Sequence, residues 1–187
     1  EIAVHPATPD RWADLEQLFG KNGACGGCWC MWWHQTGGQF TARRGEPNRL
    51  LLKDLVDSGN APGLLAYIGG QAVGWCALAP RSAYERLAKA RTLKPVDDQP
   101  VWSVVCFFVA KKYRRQGVTR TLLAAALDYA AAHGARIVEG YPLDKPAGAT
   151  TPDVYAYQGV ASTFRALGFV EAARHTPTRP IMRKMLG

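Results

Sequence analysis

The spacing of apolar residues changes along this chain, and each change marks an element. Residues 2–5 read as a short strand. Thr8-Pro9-Asp10 then supplies a cap, a proline for the first helical position and a first-turn acid, with Trp12, Leu15, Leu18 and Phe19 following at helical spacing. Residues 21–45 fit neither an alternating nor a helical period. They hold glycines, Cys25, Cys28, Cys30, Met31, Trp29, Trp32 and Trp33, and read as a long irregular connection of the kind that carries function. A helix from Asn48 through Leu51, Leu52, Leu55 and Val56 stops at Gly59. Residues 64–68 and 72–78 are strand-like runs joined by Gly69-Gly70, a two-residue hairpin signal. Residues 81–100 are charged and read as a short helix and a surface loop. Residues 101–110 (VWSVVCFFVA) are almost wholly apolar, as in a central strand covered on both faces.

Beyond it, Val118, Leu122, Leu123, Ala126, Leu127 and Ala130 form a helical stripe that ends near His133-Gly134. A strand over 137–141, a proline-rich connection, a helix over about 160–167 and strands over 169–173 and 181–186 complete the pattern. The order predicts one α/β domain with a mixed sheet and no internal repeat.

Composition narrows the function classes. With 187 residues, 48% of them apolar, the chain can bury a proper core. No apolar run approaches the roughly 20 residues that span a bilayer, and the first residues lack a signal core, so the expectation is a cytoplasmic protein with no membrane partner. Five cysteines, an odd number with three of them bunched, do not make a disulfide framework and fit reduced thiols. Cys25, Cys28, Cys30 and His34 are too crowded for paired zinc ligands, and no metal is expected. A formal charge of +8 favours an anionic partner, and Lys111, Lys112, Arg114, Arg115 and Arg120 concentrate part of it at one place.

That place is the turn between the central strand and the apolar helix, FFVAKKYRRQGVTRTLL. A helix that opens at a glycine directly after a buried strand exposes unpaired N–H groups and the positive end of its dipole, which together suit phosphate oxygens. Gly117 lets a ligand approach the backbone. Neither a Walker loop nor a dinucleotide fingerprint is present. Arg114-Arg115-Gln116-Gly117-Val118-Thr119 resembles the pyrophosphate-binding motif of the GNAT (general-control-related N-acetyltransferase) superfamily, with Thr119 where that family usually has Gly or Ala. The order of elements and the ending Phe164-Arg165-Ala166-Leu167-Gly168-Phe169 resemble the same family over essentially the whole chain.

The resemblance implies a single GNAT-like acyltransferase domain over residues 1–187. Its α/β (α+β) fold would be a mixed, mostly antiparallel sheet of about six or seven strands with helices on both faces. The sheet would splay between the strands at 101–110 and 136–141. It also implies acetyl-CoA as cosubstrate, held by Phe108, Val109, Arg114, Arg115, Gln116, Gly117, Val118, Thr119, Arg120 and Phe164, and direct transfer to a primary amine. The amine's proton needs a base. Glu139 is the first candidate, with an outward-facing strand residue as the alternative, and Asp144 and His34 stand in reserve.

Phe164 occupies the position of the family's usual tyrosine acid, so Tyr141, Tyr155, Tyr157, Ser162 or water would protonate the leaving thiolate. The family borders its acceptor site with the segment between the first two helices, which here brings in Trp29, Cys30, Met31 and Trp33. Large aromatic faces suit a small-molecule amine, and they equally suit a satellite core. The alternatives are a non-catalytic CoA-binding protein, which rests on Phe164, and a nucleic-acid-binding module, which rests on the charge and the tryptophans. No nucleic-acid partner is expected, because the densest basic cluster already suits a pyrophosphate, and a homodimer is left open.

Overall fold

The computed structural model describes residues 1–145 and 156–187. In chain order the elements are β1 (Ala3–Pro6), α1 (Trp12–Phe19), α2 (Gly37–Ala42), α3 (Glu46–Asp57), β2 (Gly63–Ile68), β3 (Gln71–Pro80), α4 (Glu85–Lys89) and β4 (Trp102–Val109). They continue with α5 (Val118–Ala132), β5 (Ile137–Gly140), α6 (Ala161–Ala166), β6 (Val170–Arg174) and β7 (Pro180–Met185). All seven strands join one sheet in the order β1-β2-β3-β4-β5-β7-β6. Among the described strands only the β4–β5 pair is parallel; the other pairs are antiparallel.

The two faces of the sheet explain the apolar pattern. Trp75, Ala77 and Val105 turn to one side, where Trp12, Leu15, Phe19, Leu52 and Val56 of α1 and α3 cover them. Cys76, Leu78, Val104 and Phe107 turn to the other, under Leu122, Leu123, Ala126 and Phe164 of α5 and α6. Leu122 and Leu123 have no exposed surface, and burying each contributes roughly 1.5–3 kcal/mol. Helix α5 lies so close on β3 that a Cβ at Gly74 would stand 2.6 Å from Val118 Cγ1. A side chain at position 74 would lift the N-terminus of α5 away from the end of β4.

Two local features depart from the sequence expectation. The connection at 21–45 contains α2, which opens on a capping box: Thr36 accepts from the Gln39 amide, and the Gln39 side chain accepts from the Thr36 amide. Its single buried apolar residue, Phe40, gives no stripe to read. Helix α3 begins at Glu46 rather than at 48, with Pro47 in its first turn.

Candidate active site

Strands β4 and β5 pair over three positions only, Trp102 with Val138, Ser103 with Glu139 and Val104 with Gly140. Beyond Val104, β4 carries an extra residue: Leu78 faces Val104 and Ala77 faces Cys106, which leaves Val105 as a bulge. A bulge bends its strand and increases the local twist, so the rest of β4 leaves β5 and the sheet opens. The Ala110 amide donates to Val73, and Phe108 stands in register with Trp75 on the same strand. By alternation, the amides of Phe107 and Val109 face the opening and that of Phe108 faces β3. This corrects the expectation for Phe108, whose ring packs edge-on against Phe19 at 5.7 Å. The Phe107 amide donates to the carbonyl of Tyr157, which crosses the opening.

At the mouth of the opening the basic turn runs into α5. Arg115 (φ 62°) and Gly117 (φ 82°) both take left-handed backbone, and Gly117 caps the helix. The first helical bond runs from the Thr121 amide to the Gly117 carbonyl, so the amides of Val118, Thr119 and Arg120 have no acceptor within the helix. Val118, Thr119 and Arg120 line a cleft of about 240 Å³ together with Val109, Tyr113, Arg114, Arg115, Gly117 and Thr163. Gln116 is not among the lining residues; its side-chain amide donates to the Lys112 carbonyl at 3.0 Å. A larger opening, about 450 Å³, lies at the outer edge of β1 and β2 around His5, Asp14 and Tyr67, remote from the splay.

Glu139 is neither outward-facing nor available. It has no exposed surface; Oε1 accepts from Arg81 at 2.8 Å and from the Tyr141 hydroxyl at 2.7 Å, and Oε2 accepts from Arg183 at 2.7 Å. Ser103 Oγ lies 2.9 Å from the same hydroxyl, and Arg183 also reaches Asp97 at 2.7 Å. Burial, and then the charge of Glu139, pushes the Tyr141 hydroxyl well above its ordinary range. Sequence reasoning missed Arg81, Ser103 and Arg183. The available signals were weak: Ser103 is the one hydroxyl in VWSVVCFFVA, and Arg183 interrupts an otherwise apolar start to the last strand.

Phe164, expected to pack against the acyl arm or the core, lies in the core. Its ring has no exposed surface and fills the space over two glycines: a Cβ at Gly140 would stand 2.2 Å from Phe164 Cε1, and one at Gly159 2.8 Å from Cε2. It also packs edge-on against Phe107 and Phe169. A ring enclosed this way is core and offers no face to a cofactor. Asp144 carries Arg165 and Arg174, which hold its carboxyl down to about 2. His34 Nδ1 lies 3.1 Å from the Ala83 carbonyl, and burial lowers its basicity. Burial pushes the half-buried Tyr157 hydroxyl up to about 12. Tyr155 lies outside the described residues.

The aromatic connection divides between core and surface. Trp29, Cys30, Met31 and Trp33 are buried; Trp29 stacks on Trp12 with centroids 6.3 Å apart and meets Phe19 at 5.7 Å. Trp29 (φ 44°) and Cys30 (φ 58°) hold consecutive left-handed conformations, a strain of order 1–3 kcal/mol each for residues with a Cβ. The strained turn brings the Cys30 thiol to the indole of Trp75, which donates to it at 3.2 Å, and to the thiol of Cys106. Trp32 is the exposed ring, with the Arg86 guanidinium 3.6 Å above it. Among the described residues, no three His, Cys, Asp or Glu side chains group as metal ligands do.

Comparison with known proteins agrees with this geometry. No curated protein matches the chain in sequence. In fold it is similar to PaiA N-acetyltransferase from Thermoplasma acidophilum, solved in complex with coenzyme A (12% identity, TM-score 0.55, 100% of this chain and 99% of that one). It is also similar to GNAT-family acetyltransferases from Streptococcus pneumoniae (16%, TM-score 0.56, 100% of both chains) and Streptococcus agalactiae (13%, TM-score 0.58, 100% and 96%). A family model described as Acetyltransferase (GNAT) family matches residues 29–147. With well over half of its length matched, and its sheet opened beside a glycine-capped helix, the chain belongs to the GNAT acetyltransferase family.

Proposed function

We propose that the protein transfers an acetyl group from acetyl-CoA directly to a primary amine. The observation that carries this is the adjacency of the cleft at the glycine-capped start of α5 to the open edge of β4. The amides of Val118, Thr119 and Arg120 and the charges of Arg114, Arg115 and Arg120 suit a pyrophosphate. Acetyl-CoA supplies the acyl group as an activated thioester. The outer edge of β4 at Phe107 and Val109 would pair with an extended arm as an added strand does, displacing the Arg114 Nε that donates to the Val109 carbonyl at 3.2 Å. The Phe107 amide is already held by a carbonyl oxygen, that of Tyr157, so a thioester oxygen would exchange one carbonyl for another there.

Glu139 is left out of the chemistry, because both its oxygens are occupied by arginines and a tyrosine. Its role is to fix Arg81, Tyr141 and Arg183 beside the paired end of the splay. The amine's proton leaves to water at the opening, and the thiolate is protonated by water or by Tyr157. A second reading, binding of CoA without turnover, is favoured by Phe164 at the tyrosine position and by the Tyr157 carbonyl on the Phe107 amide. Calorimetric titration with acetyl-CoA, followed by incubation with a mixed amine panel and mass spectrometry of the products, tests both. Binding with acetylated amine supports transfer, binding without product supports the second reading, and no binding by folded protein overturns both.

A further inference from the structure

A sheet that splits leaves backbone groups along the opening that must find partners elsewhere. Here the chain supplies one from within. Past the end of β5, Leu143 pairs in parallel with Val160: the Leu143 amide donates to the Gly159 carbonyl and the Ala161 amide to the Leu143 carbonyl, both at 2.9 Å. Just before that pair the chain makes a tight turn, closed by the Gly159 amide on the Ala156 carbonyl at 2.8 Å. Tyr157 and Gln158 form its tip, and the Tyr157 carbonyl accepts from the Phe107 amide of β4. A turn rooted on the β5 side of the splay thus reaches across to the other side.

Arg179 holds the tip in place. Its Nη1 donates to Gln158 Oε1 at 2.6 Å and to the Tyr141 carbonyl at 3.0 Å, which ties the turn to the residue after β5. In other respects the turn fits poorly. Gln158 is buried, yet its Nε2 finds no partner among the described residues, and such groups are few in native proteins. Gly159 stands between tip and root at φ 85°, a conformation that glycine adopts readily. A contact that leaves a buried donor unpaired and turns on a glycine opens at less cost than the ladder of the sheet beside it.

A backbone N–H is a single donor, so the Tyr157 carbonyl and an acyl carbonyl at the same place compete for the Phe107 amide. We infer that residues 156–158 form an autoinhibitory latch, in which the Tyr157 carbonyl withholds the Phe107 amide from the acyl carbonyl of acetyl-CoA and Arg179 keeps the latch shut through Gln158. This rests on the acyl-transfer reading for the place of the thioester. A site that is open only part of the time binds with an apparent Kd raised by the inverse of the open fraction, so loosening the latch tightens binding. A side chain that merely supported the site would act with the opposite sign.

The test uses two variants of the full chain. Arg179→Met keeps the alkyl stem and removes the donors, and Gln158→Met keeps the bulk and removes the acceptor; neither residue lines the cleft at the start of α5. Hydrogen exchange of the Phe107 amide, read by NMR without ligand, is expected to speed up at least about tenfold in both. Calorimetry is expected to show acetyl-CoA bound about three- to tenfold more tightly than by the parent. Should Arg179→Met fail to fold in a urea titration, Gln158→Met decides alone, because it leaves the Arg179 bond to the Tyr141 carbonyl in place. Faster exchange with unchanged or weaker affinity overturns the inference, since Tyr157 would then not compete with the cosubstrate. Unchanged exchange overturns it as well, since neither side chain would hold the contact. Absence of acetyl-CoA binding by parent and variants alike, with exchange still accelerated, overturns the transfer reading instead.

Discussion

Arg81 Nη1 lies 2.8 Å from Glu139 Oε1 and 2.7 Å from the Tyr141 hydroxyl, so one guanidinium ties the segment after β3 to the end of β5. Arg183 closes the other oxygen from β7. Desolvating three charged groups is costly, and what holds them is mutual pairing: removing one member of such a buried set costs about 3–5 kcal/mol because the remaining charge stays buried. Glu139→Gln is therefore expected to lower the unfolding free energy by roughly that amount in a urea titration. Acetylation should fall only with the folded fraction. A tenfold loss of kcat at unchanged stability would return Glu139 to the reaction.

The contact between Phe164 and Gly140 is a second site where fold and chemistry diverge. A methyl at position 140 would stand 2.2 Å from Phe164 Cε1, inside any real contact, and Phe164 has no free space to retreat into. Overpacking of this kind costs about 1–3 kcal/mol. Gly140→Ala should destabilise the protein by that much. Phe164→Leu in the same chain should recover part of the loss, read as a non-additive double-mutant cycle. If the two losses simply add, the ring and the glycine do not contend for one space.

Much of the fold was legible because it follows from periodicity. The apolar run at 101–110, the Gly69-Gly70 hairpin and the α5 stripe each correspond to an element of the sheet or its cover. The basic turn was legible too, since a glycine between a buried strand and an apolar helix fixes where the free amides lie. The side chains of the site were harder to read. Glu139 and Arg183 lie 44 positions apart and meet only through β5–β7 pairing, which no local pattern encodes. In a strand read alone, Glu139 looks equally like a base and like a surface residue. Trp29, Met31 and Trp33 read equally as ligand faces and as a satellite core, because an irregular backbone hides which side chains point inward; all three lie in the core on the α1 and α3 side of the sheet.

Acid stability should carry the signature of Asp144. Its hydrogen bonds from Arg165 and then from Arg174 hold its carboxyl at about 2 in the folded protein, below the 3.8 of a free aspartate. A carboxyl depressed by folding stabilises the native state above its unfolded value, and that contribution is lost as pH falls through the folded one. The Asp144→Asn variant should therefore be less stable than the parent at about pH 6, and the gap should close between about pH 4 and pH 2. The half-exposed Arg165 keeps the gap modest. Melting temperatures of both proteins across that range check it; a gap that persists below about pH 2 would mean the carboxylate charge is not what Asp144 contributes.

The start of α5 allows shape and charge to be separated at one position. A Cβ on Gly117 meets nothing within 4 Å, so the only structural cost of Gly117→Ala is the left-handed backbone at φ 82°, about 1 kcal/mol. Gly117→Asp incurs the same strain and adds a negative charge beside the amides of Val118, Thr119 and Arg120, where the helix dipole and three arginines favour an anion. Acetyl-CoA affinity should thus fall only a few-fold in the alanine variant. In the aspartate variant it should fall by about tenfold more, equivalent to about 1.4 kcal/mol. That extra loss should shrink as ionic strength rises and screens the cleft. Calorimetry at two salt concentrations reads all three effects. If alanine and aspartate weaken binding equally, the glycine matters only for the turn, and the pyrophosphate is held elsewhere.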